Sequence, residues 1–187
     1  NPNFNRRVSF DLTLTEREFR QEDEELTTLA SEVAERLSTY AAAHEGQVKG
    51  MIEFITKPSA AAFLQAAEQH AELADYTIML LSGTILEPRR QAIISKLKNP
   101  EWSAAHPKVL LVCTQAVEAG VDVDMDMGFK DQALLDSDEQ MAGRVNRNNL
   151  KEQAPVYLFQ LDRTSKVYGN DTRLTKQRQL SRDKQKH

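Results

Sequence analysis

The chain has 187 residues, a formal net charge of −4, 40% hydrophobic residues and one cysteine. That length supports one domain with a substantial core and a short appendage. A single cysteine excludes a disulfide framework and a thiolate metal site within the chain, no apolar run approaches the ~18 residues of a membrane span, and an acidic body excludes a generic nucleic-acid coat.

The charge is unevenly distributed. Residues 162–187 hold eight Lys/Arg against three Asp, a net +5, so the remainder carries −9. Any nucleic-acid contact by the body must therefore be local, and the basic end reads as a solvated extension. The chain opens on Asn1-Pro2 rather than methionine, which fits either a piece of a longer protein or a processed start. Cys113 ends an apolar run and reads as a small buried hydrophobe. With no signal-peptide pattern at its start, the chain is expected in a reducing cytoplasm.

Taken in order, Arg7–Leu14 alternates, with Val8, Phe10, Leu12 and Leu14 on one side, and predicts a half-buried strand. From Glu22 to Ala43, Leu26, Leu29, Ala30, Val33, Leu37 and Tyr40 recur at helical spacing. The acidic Glu22–Glu25 cluster suits the helix N-terminus, and His44-Glu45-Gly46 the end. Val48–Ile55 is a second strand, stopped by Thr56-Lys57-Pro58-Ser59, where Pro58 opens a helix running to about Leu73. Thr77–Leu81 is a short strand that breaks at Ser82-Gly83-Thr84. Pro88 opens another helix, which gives Ile93, Ile94 and Leu97 to the core. Asn99-Pro100 closes it, and a loop leads to His106-Pro107.

Val109–Val112 is an unbroken apolar run, as a strand buried on both faces would be. It ends at Thr114-Gln115, and Gly120, Val121 and Asp122 follow. Asp122, Asp124 and Asp126 alternate, but counting from Asp122 the calcium-loop glycine and glutamate positions hold Met127 and Ala133, so that template fails. An exposed strand face is expected instead, with Val121, Val123, Met125 and Met127 turned inward. Asp136 with Glu139, or Ser137 with Gln140, forms a capping box, so a helix is expected to start there. On it Gln140, Arg144 and Arg147 would share one face, an amide and two guanidiniums suited to a ligand with several anionic oxygens. Pro155–Leu161 is a last strand. Strands alternating with helices predict a parallel sheet covered on both faces, with ligands beyond the carboxyl ends of the strands.

Two segments carry a resemblance. TQAVEAGVD (Thr114–Asp122) resembles motif V of superfamily 2 helicases, roughly T-x-x-x-x-x-G-x-D, and QMAGRVNR (Gln140–Arg147) resembles motif VI, Q/H-R-x-G-R-x-x-R. The fuller strings TQAVEAGVDVDMD and QMAGRVNR look most like the CRISPR-associated helicase-nuclease of type I systems. Met141 departs from the pattern, which has arginine there, so no role of that arginine carries over.

The resemblance implies a RecA-like three-layer α/β/α domain with a mostly parallel sheet: residues 1–161 as the second RecA-like helicase domain and 162–187 as a basic extension towards further parts of a parent protein. It implies that Arg144 and Arg147 reach across a cleft to ATP phosphates, stabilising charge on the transferring phosphoryl, and that Gln140, the third catalytic candidate, couples nucleotide state to the DNA edge. Gly120, Asp122 and Gly143 would border the nucleotide, Asp122 facing either the ribose or a motif VI arginine. Thr56, Lys57, Ser82, Gly83, Thr114, Gln115 and Glu118 would line a track for single-stranded DNA, where small hydroxyls and free N–H groups hold phosphates without reading bases. ATP and Mg2+ would be held mainly by a first RecA-like domain. That domain, a nuclease domain and a CRISPR RNA-guided surveillance complex are the implied partners, with no membrane.

What is missing bounds the activity. The sequence contains no G-x-x-x-x-G-K-[ST] loop. Asp23-Glu24-Glu25-Leu26 lies at a helix start rather than after an apolar strand, so it is no magnesium motif. His44, His70, His106 and His187 are scattered, so no nuclease centre is assembled. The isolated chain is expected to be inactive. Another superfamily 2 helicase acting on RNA or DNA, or a non-catalytic module of the same fold, are the alternative readings.

Overall fold

The structure, a computed structural model, describes residues 8–20, 22–114, 122–132, 141, 143–147 and 154–162. Seven strands form one sheet: β1 (Val8–Asp11), β2 (Glu18–Arg20), β3 (Val48–Phe54), β4 (Thr77–Leu81), β5 (Lys108–Thr114), β6 (Met127–Asp131) and β7 (Ala154–Asp162). Their order is β1-β7-β6-β3-β5-β4, with β2 also on β7, and every pairing between named strands is parallel. The helices are α1 (Asp23–Ala43), α2 (Lys57–Gln69), α3 (Glu87–Lys98) and α4 (Pro100–Ala105).

The pleat sorts the core into two layers. In β5, Leu110 and Val112 pack with α1 and α2, whereas Val109, Leu111 and Cys113 pack with α3, Met141 and Val145. All five are fully enclosed, which is why the run is apolar without alternation. Burying each such side chain stabilises by roughly 1.5–3 kcal/mol. Helices on both faces of a parallel sheet make this the three-layer RecA-like arrangement the resemblance implies.

Local chemistry fixes the boundaries. Asp23, Glu24 and Glu25 occupy the first turn of α1. At its other end the Gly46 N–H donates to the Ala41 carbonyl at 2.8 Å, with Glu45 and Gly46 in the left-handed region at φ 55° and 78°. Thr56 caps α2, its hydroxyl accepting from the Ser59 N–H at 3.2 Å.

Four expectations are corrected. The half-buried alternation of residues 7–14 fails: β1 stops at Asp11, a 3-10 turn occupies Thr13–Thr15, and Phe10 and Leu12 are exposed. The chain turns there to lay the unforeseen β2 further along the same edge of β7. The second helix ends at Gln69, and Ala71–Leu73 is a separate 3-10 turn. Asn99 does not lead into a loop, because its Oδ1 accepts from the Trp102 N–H at 2.9 Å and starts α4. Residues 122–126 are not a strand face: β6 begins only at Met127, preceded by a single bridge between Met125 and Val145. The inward placement of Val123, Met125 and Met127 does hold, while Val121 lies outside the described residues.

Candidate functional site

Strands β4, β5 and β3 are parallel neighbours, so their carboxyl ends share one edge. That brings Thr114, Thr56-Lys57 and Ser82-Gly83 to the same side of the molecule. Their side chains are unequally available. Lys57 and Gly83 are exposed. Thr56 is engaged at the start of α2, its hydroxyl also 2.7 Å from that of Ser59. Ser82 is buried with its hydroxyl 3.2 Å from that of Thr84. Thr114 is buried, and its hydroxyl has no hydrogen-bond partner among the described residues. Gln115 and Glu118 lie outside the described residues.

A second cluster joins the two motif segments. The Asp122 carboxylate receives the Arg147 guanidinium at 2.6 Å and the Lys98 ammonium of α3 at 2.7 Å. The Arg147 N–H donates to Asp124 Oδ1 at 2.8 Å. Asp126 exchanges backbone and side-chain hydrogen bonds with Lys49 at the start of β3. Met125 is stitched between Arg144 and Asn146: its N–H donates to the Arg144 carbonyl at 3.0 Å, and its carbonyl accepts from the Asn146 N–H at 2.9 Å. Asp122 thus meets a motif VI arginine, one of the two faces expected for it. The Asp122 carboxyl is held below its ordinary range, chiefly by the hydrogen bond from Lys98 and then by the charges of Arg147 and Lys98.

The expected helix carrying Gln140, Arg144 and Arg147 on one face is corrected in its second half. Met141 is helical, but 143–147 is a turn with the bridge at Val145, and Asn146 takes φ 49°. Gly143 therefore sits in a turn rather than inside a helix. Arg144 and Arg147 diverge: Arg144 is buried at 6% exposure, and the Arg147 side chain is 46% exposed. Gln140 and Gly120 lie outside the described residues. Met141 is fully buried, with Gly128 of β6 beneath it; a Cβ on Gly128 would lie 3.0 Å from the Met141 sulfur and 3.1 Å from a Val145 methyl. This position holds an apolar plug where the motif pattern has arginine.

Sequence reasoning missed a buried charge cluster. Glu53 of β3 and Lys130 of β6 are register partners, and their side chains form a salt bridge with both groups enclosed. The Arg144 guanidinium stands 3.7 Å from the other Glu53 oxygen. Asp131 is also buried and accepts from the Ile55 N–H at 3.4 Å. The available signal was a charged residue inside an apolar strand pattern, Glu53 in MIEF and Lys130 in MGFKD.

Among the described residues no group of three His, Cys, Asp or Glu side chains is placed to hold a metal ion, and no helix is long and apolar enough to cross a membrane. A groove lined by residues including Asp11, Arg36, Tyr40 and Tyr157 lies on the α1 face, whereas Arg144 and Arg147 lie on the α3 face.

Residues 47–150 match the family model described as the C-terminal part of the CRISPR-associated nuclease/helicase Cas3. No curated protein matches the chain. Among solved structures, T. fusca Cas3 with ATP aligns over 84% of this chain and 18% of its own, at 20% identity and a TM-score of 0.60. T. fusca Cas3 with AMPPNP aligns over the same shares at 21% identity and 0.57. Domain 2 of the DEAD-box helicase Mss116p, bound to an RNA duplex, aligns over 77% of this chain and 53% of its own at 14% identity and 0.57. The chain thus spans about a fifth of the length of the T. fusca chains, and these likenesses support the fold.

Proposed function

Since the chain belongs to the family of C-terminal regions of the CRISPR-associated nuclease/helicase Cas3, we propose that it is the second RecA-like domain of an ATP-dependent DNA helicase of CRISPR defence. Residues 1–161 form that domain, and 162–187 are the basic extension that joins it to the rest of the parent. The domain supplies the arginine half of an ATP site and half of a single-stranded DNA track. The observation that carries this reading is the Asp122–Arg147 pair at 2.6 Å, which joins the GVD and GR-x-x-R segments on the surface.

ATP and Mg2+ fit this surface only in part. The chain offers an exposed guanidinium, Arg147, beside Lys98, but it has no phosphate loop, so a first RecA-like domain must hold the nucleotide. When bound, the nucleotide would supply a phosphoryl group whose charge is spread over its three oxygens while further charge builds on the leaving oxygen. Arg147 meets that charge, while Asp122 keeps the guanidinium aimed before the cleft closes. By the motif resemblance Gln140, Gly120 and Gly143 would border the nucleotide as well, whereas Arg144 is buried. At the strand-end edge Lys57, Gly83 and Thr84 face a DNA backbone, with Thr56, Ser82 and Thr114 beside them, and the motif resemblance adds Gln115 and Glu118 to the same track. The nuclease domain of the parent and an RNA-guided surveillance complex are the partners this implies.

The test is steady-state ATP hydrolysis, stimulated by single-stranded DNA, in the full-length parent. Arg147→Ala is expected to lower turnover by at least ~10²-fold with little change in ATP affinity, because the contact strengthens as charge develops. Arg147→Lys should not rescue it, since a point charge lacks the planar fork. Melting should stay near wild type, because the side chain is half exposed. A variant that melts early but hydrolyses ATP normally per folded molecule would make Arg147 structural and end this reading.

A further inference from the structure

Arg144 and Arg147 share one motif turn yet point in different directions. Glu53, Lys130 and Arg144 bring two cations and one carboxylate together on the α3 face of the sheet. Exposure is 1% for Glu53, 0% for Lys130 and 6% for Arg144. Taking such groups out of water is costly and is recovered only by close pairing, so a buried ion cluster is weak evidence of added stability. Its placement is more informative. Glu53 lies mid-sheet, in register with Cys113 on one side and Lys130 on the other, and Lys130 is in register with Leu158. One Glu53 oxygen takes Lys130 and the other faces Arg144.

The backbone above converts that anchorage into an aim. Arg144 and Asn146 both bond to Met125, and Asn146 reverses the chain through a left-handed conformation. The Arg147 N–H then meets Asp124 and its guanidinium meets Asp122. Arg144 thus turns inward to the sheet, and Arg147 outward to the surface.

We infer that Glu53, with Lys130 beside it, anchors Arg144 and thereby sets the direction of Arg147: Arg144 is a positioning residue, and Arg147 alone meets the nucleotide. This rests on the reading of Arg147 given above. A phosphate clamp and a buried anchor respond differently to lysine. A clamp needs the two-pronged guanidinium, whereas an anchor facing a buried carboxylate needs a cation of sufficient reach.

The experiment measures ATP hydrolysis and thermal melting of the full-length parent carrying Arg144→Lys, Arg144→Met, Glu53→Gln, or Glu53→Leu together with Lys130→Leu. Arg144→Lys should keep turnover within about tenfold of wild type, one decade of rate. Arg144→Met should lower kcat at least ~10²-fold while KM for ATP stays near wild type, as expected when the transition-state contact of Arg147 is misaimed. Glu53→Gln removes the carboxylate charge that two buried cations face and is expected to melt early. The double leucine variant removes Glu53 and Lys130 together and leaves only Arg144 without that carboxylate, so it should melt below wild type but above Glu53→Gln, and lose kcat per folded molecule as Arg144→Met does. Two outcomes overturn the inference: Arg144→Lys folded and as impaired as Arg147→Lys, or the double leucine variant folded and fully active. If Arg147→Ala is itself fully active, the underlying reading fails instead, whatever the Arg144 variants do.

Discussion

At Asp122 one carboxylate serves two cations from different elements, Lys98 at 2.7 Å and Arg147 at 2.6 Å. All three groups are about half exposed, so the pairs add little stability, and their value is directional. Folding lowers the Asp122 pKa, and the sense of the pH effect follows. The pairing is complete above the ordinary value of 3.8 and is lost as pH falls through the lower folded value. A carboxyl-carbon NMR titration should show a midpoint below 3.8 in the folded chain, moving upward in Lys98→Met; a midpoint at or above 3.8 would mean the contact with Lys98 is not kept in solution. The residue-level features split by what sequence can carry. GVD and GR-x-x-R name Asp122 and Arg147 by type and spacing. Nothing in that spacing tells that Arg144 is buried and Arg147 is not, because the difference arises from Glu53, more than ninety positions away in the chain.

Among the elements, the apolar periods identify β3, β4, β5, β7, α1, α2 and α3 correctly, because each buries a stripe or a face long enough to leave a pattern. The misses are short or depend on tertiary contact. β2 is three residues whose only buried side chain is Phe19. α4 is a six-residue helix created by one asparagine cap. The turn at 143–147 continues a plausible helical period but is pulled into a bridge by Met125. Met141 shows the same override from the packing side. The motif pattern would place arginine there, yet the site is closed by Gly128 and Val145. Met141→Arg, which moves the sequence towards the pattern, should therefore destabilise by ~3 kcal/mol or more, the cost of an unpaired buried charge. Urea unfolding at neutral pH measures it. An unchanged midpoint would mean that the segment lifts easily from Gly128.

For the whole molecule, a RecA-like fold is combined with an acidic body and a sequence that contains no phosphate loop. The isolated chain should bind ATP no tighter than millimolar by calorimetry, and micromolar affinity would place a complete nucleotide site within these 187 residues. The sheet order has a different consequence, for synthesis. β1 and β2 both lie against β7, the last strand described, and among the described residues neither pairs with any other strand. From Arg20 to Ala154 the ribosome adds 134 residues, roughly 7–27 s at cellular elongation rates. Through that interval the first two strands have no partner, and the Phe19 ring has no strand against which to dock. A nascent chain stalled before Ala154 therefore holds an open edge at its start and another on β6. Such a chain invites pairing with a neighbour on the same message, and a holding chaperone that covers residues 8–20 would suppress it.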